Sequence, residues 1–572
     1  MSWNQAGQQS YGQPRGYGPN NGQWNAGPNQ WQGAGGQYPS PSQPYAAPQV
    51  NPPVVGFSDY KAKTDEYGER FKPKRKINDI AFLILFIAQF LGFAAVSGIA
   101  LNSWISNRSL SSGGVGGSRQ GGTNVTLNSH TVYLLLLVTA AGLVLSSAYL
   151  LLVRTFTSVI LQVTLVLSVV ANIAIAVYYW ITKYYSGAII FTIIAVFGVL
   201  AYFGMRSRIP LASLLLQVII DVSKHHKSVY IVAFSGLIAQ AALSVWFVFT
   251  AIATYAKWTP NSSTCQNGTS CSSGTVAGLI FFELFSYLWT SQVIGNVCLA
   301  TMAGGAYGGW YYFGPRNMGE MVRSPKNPSL SAFARASTLS LGSIAFGSLI
   351  VTLLELLRII LNSIRANAAE SGSPVEAALA CCAACFVGCI ESMVEYFNRY
   401  AYIEIALYGK PYIPAAKDTW RLFKDRGIDA LINDSLTGIA MTWGAYLVGL
   451  LCSLFAYVYL KLTNPAYNFD GQYTAPVLLF AFLIGLQCSL TLASAIEAGV
   501  STIFVGLGED PQVLAERSPE LFEVSYTLQL LVIQFIDADP NSFSFDNSSL
   551  LPPQPQMIRG TYPDVVRPVA QV

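Results

Sequence analysis

The sequence predicts an all-α polytopic membrane protein with about ten transmembrane helices. Hydrophobic residues make up 52% of the 572 residues and charged residues only 11%, so the chain cannot cover several soluble domains with polar surface. Apolar runs of about 20 residues recur along it, a length that crosses a bilayer as a helix and exceeds what a barrel strand needs. Lys and Arg concentrate in alternate connecting segments, as a membrane topology requires.

Four regions are predicted along the chain. Residues 1–60 are rich in Gly, Gln, Asn and Pro, so we expect a disordered cytoplasmic head that is a candidate for binding cytoplasmic partners. Residues 61–78 carry seven Lys and Arg and are predicted to hold the N-terminus in the cytoplasm, with binding to anionic lipid as the alternative. A ten-helix transmembrane domain is predicted over 79–508. A partly disordered cytoplasmic tail is predicted over 509–572.

The predicted spans are long enough to cross a bilayer and even in number. They lie at about 79–101, 131–153, 157–181, 187–204, 229–256, 276–299, 338–361, 377–400, 435–460 and 475–499. Both termini therefore lie on one side, and the basic connecting segments make that side cytoplasmic. The shorter apolar run 209–222 contains Pro210 near its start and has basic flanks, so we expect a helix lying at the inner membrane surface.

The two longest predicted outer loops carry signals of an extracellular environment. They contain N-glycosylation sequons at Asn107, Asn124, Asn261 and Asn267. In the second loop Cys265 and Cys271 lie six residues apart, and they are a candidate disulfide. These signals predict a glycoprotein of the plasma membrane.

A charged stripe runs along the predicted eighth span. Glu391, Glu395 and Arg399 are successive i,i+4 neighbours, so Glu395 can pair with Arg399. A charge facing lipid at the bilayer centre costs roughly 2.5 to 3.5 kcal/mol even on lenient scales. The stripe should therefore face protein or a water-filled cavity, or else lie at the membrane surface.

The seventh span carries a second acid and base, Glu355 and Arg358. One interpretation makes Glu355, Glu391, Glu395 and Arg399 a translocation path or coupling residues. The other has adjacent spans pairing their charges to hold the bundle together.

The sixth span and the residues after it combine a carboxylate with aromatic side chains. A quaternary ammonium has no N–H donor and is held by Coulomb attraction and by cation–π contact. The cation-binding candidates are Glu283, Tyr287, Trp289, Trp310 and Tyr311. The alternative is an interfacial aromatic belt beside the glycines of 304–309, which permit close helix contact or a local break.

No enzyme is predicted, because the sequence lacks the GxSxG, HExxH and P-loop motifs. The stripe of Cys381, Cys382, Cys385 and Cys389 has no nearby His or second Cys pair and is interpreted as packing residues, with acylation next. We therefore expect no metal, no cofactor and no nucleic-acid partner. The expected partners are the lipid bilayer and a small organic cation.

One run resembles a known family, and it reads FNRYAYIEIALYGKPYIPAAKDTW. It is similar to the signature of the choline transporter-like family, as are the runs GSIAFGSLIVTLLELLRIIL and STIFVGLGEDP. The head and tail resemble the fungal branch, called pH-nine-sensitive proteins. The matching signature positions are Asn398, Arg399, Ala401, Tyr402, Ile403, Tyr408 and Gly409.

The resemblance covers about residues 80–522, and it implies a ten-span carrier with cytoplasmic termini. It further implies transport of choline or a related ethanolamine-type cation. The outer loop between the first two spans is shorter than in many animal members. A non-transporting scaffold, a lipid-handling protein and a channel are the alternatives.

Overall fold

The computed structural model describes residues 76–106, 129–259, 272–313, 327–463, 465, 468, 471, 474–511, 513–514, 518 and 521. These residues are almost entirely helical, and no strand occurs among them. The predicted head 1–60 and most of the tail 509–572 lie outside the described residues. So do the four glycosylation sequons and the Cys265–Cys271 pair, which remain predictions.

The described chain forms thirteen α-helices and two π-helical segments. They are α1 (Ile80–Ser106), α2 (Ser129–Thr155), α3 (Thr157–Ile181), α4 (Tyr185–Arg206), α5 (Ile209–His225), α6 (Ser228–Trp258), α7 (Ser273–Met302), α8 (Gly308–Phe313), α9 (Pro328–Ala334), α10 (Leu341–Glu370), α11 (Pro374–Tyr408), α12 (Tyr412–Thr463) and α13 (Thr474–Glu509). The π-helical segments are Ala303–Tyr307 and Arg335–Leu339.

The prediction of about ten transmembrane helices is confirmed. Ten helical stretches are long and apolar enough to cross a membrane: α1 to α4, α6, α7 continued through α8, and α10 to α13. Their large apolar side chains, such as Leu91, Phe203 and Phe386, are exposed on the outside of the bundle, as lipid contact requires. The cytoplasmic location of both termini remains a prediction.

The basic segment 410–426 is helical from Tyr412 onward and forms the start of α12. This helix has 52 residues, so its length is about 78 Å at 1.5 Å per residue, far more than the hydrocarbon core needs. Its spanning part begins at Ile432. The first turns of α12 therefore extend the helix beyond the membrane, on the side where α11 ends.

The prediction for α5 is correct in secondary structure but wrong in location. Ten of its residues are buried, including Leu215, Leu216 and Ile219, and α5 packs against α3, α12 and α13. Other helices, and not the membrane surface, therefore cover most of this helix. Arg154 at the end of α2 makes a bidentate ion pair with Asp221 and holds α5 in place.

Close backbone approaches tie the π-helical segment after α7 to its neighbours. A Cβ added to Gly304 would lie 2.8 Å from the carbonyl oxygen of Ala406, and one added to Gly305 would lie 2.9 Å from Cα of Ser329. The chain is π-helical here, over Ala303–Tyr307. The close contact expected of these glycines therefore occurs, at a π-helical turn within a span that continues to Phe313.

The cysteine stripe of α11 is not a packing surface. Cys382, Cys385 and Cys389 are exposed, and Cys381 is half-buried. Interpreting them as packing residues was wrong, because their face of α11 points away from the bundle.

Candidate functional site: a charged cavity between four helices

A cavity of about 550 Å³ lies where α6, α7, α11 and α13 meet. Its wall combines small residues with amides, hydroxyls and three charged side chains. The lining residues are Ala233, Gly236, Leu237 and Gln240 of α6; Gly295, Asn296, Cys298, Leu299 and Met302 of α7; Ser392, Glu395, Tyr396 and Arg399 of α11; and Gln487, Leu490, Thr491, Ser494 and Glu497 of α13.

One face of α11 supplies the charged side of the cavity. The spacing of Ser392, Glu395, Tyr396 and Arg399 places these four side chains on one helical stripe. Glu395 is exposed to the cavity and has no ion-pair partner among the described residues. The predicted stripe thus divides at this point, with Glu395 and Arg399 lining a cavity that Glu391 does not reach.

Arg399 pairs across the cavity and not along its own helix. Its Nη2 lies 2.9 Å from Oε2 of Glu497 on α13, and the two side chains are 25% and 29% exposed. The sequence-based pairing of Arg399 with Glu395 is therefore wrong. The facing helix offers a carboxylate at contact distance, and Glu395 is left to face the cavity.

A chain of hydroxyls lies behind the charged wall. The hydroxyl of Tyr396 donates to that of Tyr400 at 3.3 Å, which donates to Oδ2 of Asp434 at 2.6 Å. Ser501 reaches the same carboxylate oxygen at 3.5 Å. Asp434 thus lies within the protein beside the cavity, and its negative charge attracts Arg399 without an ion-pair contact.

The signature residues mostly anchor α11 to the rest of the bundle. Asn398 donates to the carbonyl oxygen of Gly347 at 3.0 Å and accepts from the hydroxyl of Tyr412 at 2.6 Å. Gly409 ends α11 with φ +66°, a conformation that favours glycine, and its carbonyl oxygen accepts from Asn78 at 3.0 Å. Ala401, Tyr402 and Ile403 are buried. Arg399 is the signature residue that reaches the cavity.

A second charge pair joins α10 to α11. Nε of Arg358 lies 3.0 Å from Oε2 of Glu391, close enough for an ion pair although not aligned as a hydrogen bond. Glu355 lies one turn earlier on α10, and neither acid lines the cavity. Two interpretations were given for these charges, a translocation path and pairing between adjacent spans. For Arg358 and Glu391 the structure shows the pairing.

The cation-binding candidates on α7 lie away from the cavity. Glu283 is fully buried and accepts from Thr254 at 2.5 Å, and Tyr287 hydrogen-bonds Ser244 at 3.0 Å. The indole of Trp289 donates to the carbonyl oxygen of Ala345 at 3.0 Å. These contacts stabilise the packing of α7 on α6 and α10.

Trp310 and Tyr311 lie beyond the π-helical turn, on α8. Tyr311 is buried and donates to the carbonyl oxygen of Asp510 at 3.0 Å, and Trp310 packs half-buried against the core. The five predicted cation-binding residues are therefore not brought together around the cavity.

A cluster of acids surrounds Lys410, just after the end of α11. Its Nζ lies 2.9 Å from Oε2 of Glu404, 2.8 Å from Oδ2 of Asp418 and 3.8 Å from Oε2 of Glu509. Burial alone would lower the pKa of Lys410, but attraction to Glu404 and Glu509 outweighs it and the pKa lies above its usual value. One oxygen from each acid lies within 4.8 Å of the others, a spacing that a metal ion would accept. In this structure the positive charge among the three acids is the ammonium group of Lys410.

Several cavity residues were missed by the sequence predictions. Glu497 is a lone acid in the apolar run LTLASAIEAGVS, and an ionisable residue inside a span is a known functional signal. That signal could have found it. Gln240, Asn296 and Gln487 carry no comparable signal, because uncharged amides are tolerated in spans as packing residues.

Ten apolar helices, four of which line a charged cavity, define a multi-pass membrane protein. Comparison with known proteins identifies its family. A family model described as "Plasma-membrane choline transporter" matches residues 189–512. The chain belongs to this choline transporter-like family, and the resemblance stated from its sequence is confirmed.

Fungal relatives match the chain over most of its length. Protein PNS1 of Cryptococcus neoformans var. neoformans serotype D is 60% identical over 505 residues, which cover 86% of this chain and 90% of that protein. Protein PNS1 of Mycosarcoma maydis is 45% identical over 502 residues, with 86% and 91% covered. Protein PNS1 of Candida albicans is 38% identical over 488 residues, with 85% and 93% covered.

Proposed function

We propose that this protein carries choline or a related small organic cation across the plasma membrane, and that the cavity between α6, α7, α11 and α13 binds it. The central observation is the charge on the cavity wall, where two carboxylates, Glu395 and Glu497, face one guanidinium, Arg399. With all three ionised, the empty cavity carries one negative charge. A monovalent cation would neutralise it.

The other lining groups suit such a ligand. Oxygens of Gln240, Asn296 and Gln487 can accept hydrogen bonds from an ammonium or hydroxyl group. Tyr396 supplies the aromatic ring for cation–π contact. A volume of about 550 Å³ falls within the 300–1,000 Å³ typical of small-molecule sites. The cavity therefore has room for an organic cation and its remaining water.

The proposed roles differ along α11. Glu395 faces the cavity and is assigned to the cation, whereas Glu391 lies one turn away and pairs with Arg358. We assign Glu391 and Arg358 to bracing α10 against α11. Glu355 lies one turn from Arg358 on α10, and we assign it to the same structural role.

Uptake of labelled choline and labelled ethanolamine into proteoliposomes tests the proposal. We expect saturable uptake of one or both cations by the wild type and a KM raised about tenfold or more by Glu395→Gln, because a nearby opposite charge is removed from a partly dehydrated site. Glu376→Gln is the matched control, since Glu376 is an exposed acid in the first turn of the same helix. Absence of saturable uptake, or equal effects of the two variants, would refute the proposal.

A further inference from the structure

Arg399 is the positively charged member of the cavity wall among the lining residues described. An arginine is an unusual choice for a site that is to hold a cation, because it repels the ligand and neutralises a carboxylate that could bind it. Its place opposite Glu497 therefore calls for a role other than direct binding.

The contact between Arg399 and Glu497 can be displaced. It consists of a single Nη2–Oε2 approach of 2.9 Å, although a guanidinium can bind a carboxylate through two parallel bonds. Both side chains are partly open to the cavity, at 25% and 29% exposure. A single contact is weaker than a bidentate pair, so a ligand cation that enters the cavity can compete for Glu497.

If a ligand cation binds Glu497, a second acid still lies near Arg399. Asp434 lies behind the cavity wall, where it accepts from Tyr400 at 2.6 Å and from Ser501 at 3.5 Å. Its Coulomb attraction acts on Arg399 in the present arrangement. After displacement from Glu497, the Arg399 guanidinium therefore still has a negative charge nearby.

We propose that Arg399 is a tethered counter-cation, which neutralises Glu497 in the empty carrier and is displaced when an organic cation binds. This proposal rests on the transport function proposed above. Its consequence concerns the return of the empty carrier. Closing a cavity around net charge is costly, and Arg399 keeps that charge at minus one instead of minus two.

Protein already fills the space between the cavity and the Lys410 end of the bundle. Tyr307 is buried and donates to the carbonyl oxygen of Ala495 at 2.6 Å. A Cβ added to Gly499 would lie 2.6 Å from Ile219 and 2.7 Å from Tyr307. Packed protein therefore separates the cavity charges from the Lys410 end of the bundle.

Replacing Arg399 should affect two modes of transport differently. Net uptake needs the empty carrier to return, with cavity charge minus two in Arg399→Gln. Exchange of labelled for unlabelled cation uses only the loaded carrier, with charge minus one. We expect Arg399→Gln to lower net uptake of choline at least about tenfold more than it lowers choline exchange, since 1.4 kcal/mol of added cost is a factor of ten.

Both modes are measured with labelled choline in proteoliposomes made from the full chain. Arg399→Lys should keep the wild-type ratio of net uptake to exchange because it keeps the charge. The double variant Arg399→Gln/Glu497→Gln should restore the ratio, since its empty cavity again carries minus one. Arg358→Gln is the matched control, because Arg358 pairs with Glu391 outside the cavity, and it should leave the ratio unchanged.

Two results would overturn the counter-cation role while leaving transport itself intact. One is an unchanged ratio of net uptake to exchange in Arg399→Gln, whether or not both rates fall. The other is a double variant that exchanges choline but does not recover the ratio. Complete lack of flux in the wild type would instead refute the proposed function, and this role with it.

Discussion

Two basic residues near the end of α11 have similar charge but different surroundings. Arg399 makes one ion pair, at 2.9 Å, to Glu497, whose side chain is 29% exposed. Lys410 contacts Glu404 and Asp418 at 2.9 and 2.8 Å and lies 4.6 Å from the ring centre of Tyr408. Glu404 itself is fully buried. The comparison indicates that the number of partners and their burial separate a displaceable ion pair from a fixed clamp.

The largest expected effect comes from breaking the clamp. Lys410→Met leaves the buried carboxylate of Glu404 without its cation, and removing one partner of a buried pair costs about 3–5 kcal/mol. Arg399→Gln should cost less, because its partner Glu497 is partly exposed to the cavity whereas Glu404 is fully buried. Thermal unfolding of the purified variants in detergent measures the difference.

Lys417→Met is the control for this comparison. Lys417 is exposed on the first turns of α12, so its loss should leave the melting temperature unchanged. Equal melting temperatures for Lys410→Met and Arg399→Gln would contradict the distinction between clamp and displaceable pair.

A second comparison concerns two glycines that are equally crowded in different surroundings. A Cβ at Gly347 would lie 2.6 Å from both the Tyr402 hydroxyl and the Tyr412 ring, whereas one at Gly236 would lie 2.6 Å from Sγ of Cys298 on the cavity wall. We expect Gly347→Ala to destabilise by about 1–3 kcal/mol, as overpacking of a core does. Gly236→Ala should cost less, because the thiol can rotate into the cavity.

Melting temperatures of the two alanine variants test this expectation. Gly98→Ala is the control, since a Cβ there meets no atom within 4 Å. If Gly236→Ala were the more destabilising variant, this expectation would be wrong. The cavity wall would then be at least as rigid as the packing around Gly347.

The sequence predicts the spans well because long apolar runs determine them through local composition alone. It predicts the site less well because the partners are set by packing between helices. Glu395 and Arg399 were found as charges inside a span, but the ion pair to Glu497 depends on how α11 faces α13. The aromatic residues of α7 have the right chemistry for a cation, yet the rotation of α7 directs Glu283 and Trp289 to helix contacts. Periodicity cannot supply that rotation.

The smallest predicted effect separates the ring of Tyr396 from its hydroxyl. Tyr396→Leu removes the cation–π surface, which contributes about 0.5–1 kcal/mol at exposed sites and about 2 when desolvated. We expect the KM for choline to rise roughly threefold or more, and the KM for ethanolamine to rise less because its N–H groups retain the polar acceptors. Tyr396→Phe keeps the ring and should resemble the wild type. Uptake competition between the two cations measures the preference, and an unchanged preference in Tyr396→Leu would remove the ring from the site.

Equilibrium binding of labelled choline to purified protein tests the central claim most directly. The four-helix cavity predicts saturable binding that Glu395→Gln weakens about tenfold or more, that Glu376→Gln leaves intact and that excess ethanolamine reduces. Binding that survives Glu395→Gln but is lost in Glu283→Gln would contradict this account, because it would place the cation among the aromatic residues of α7.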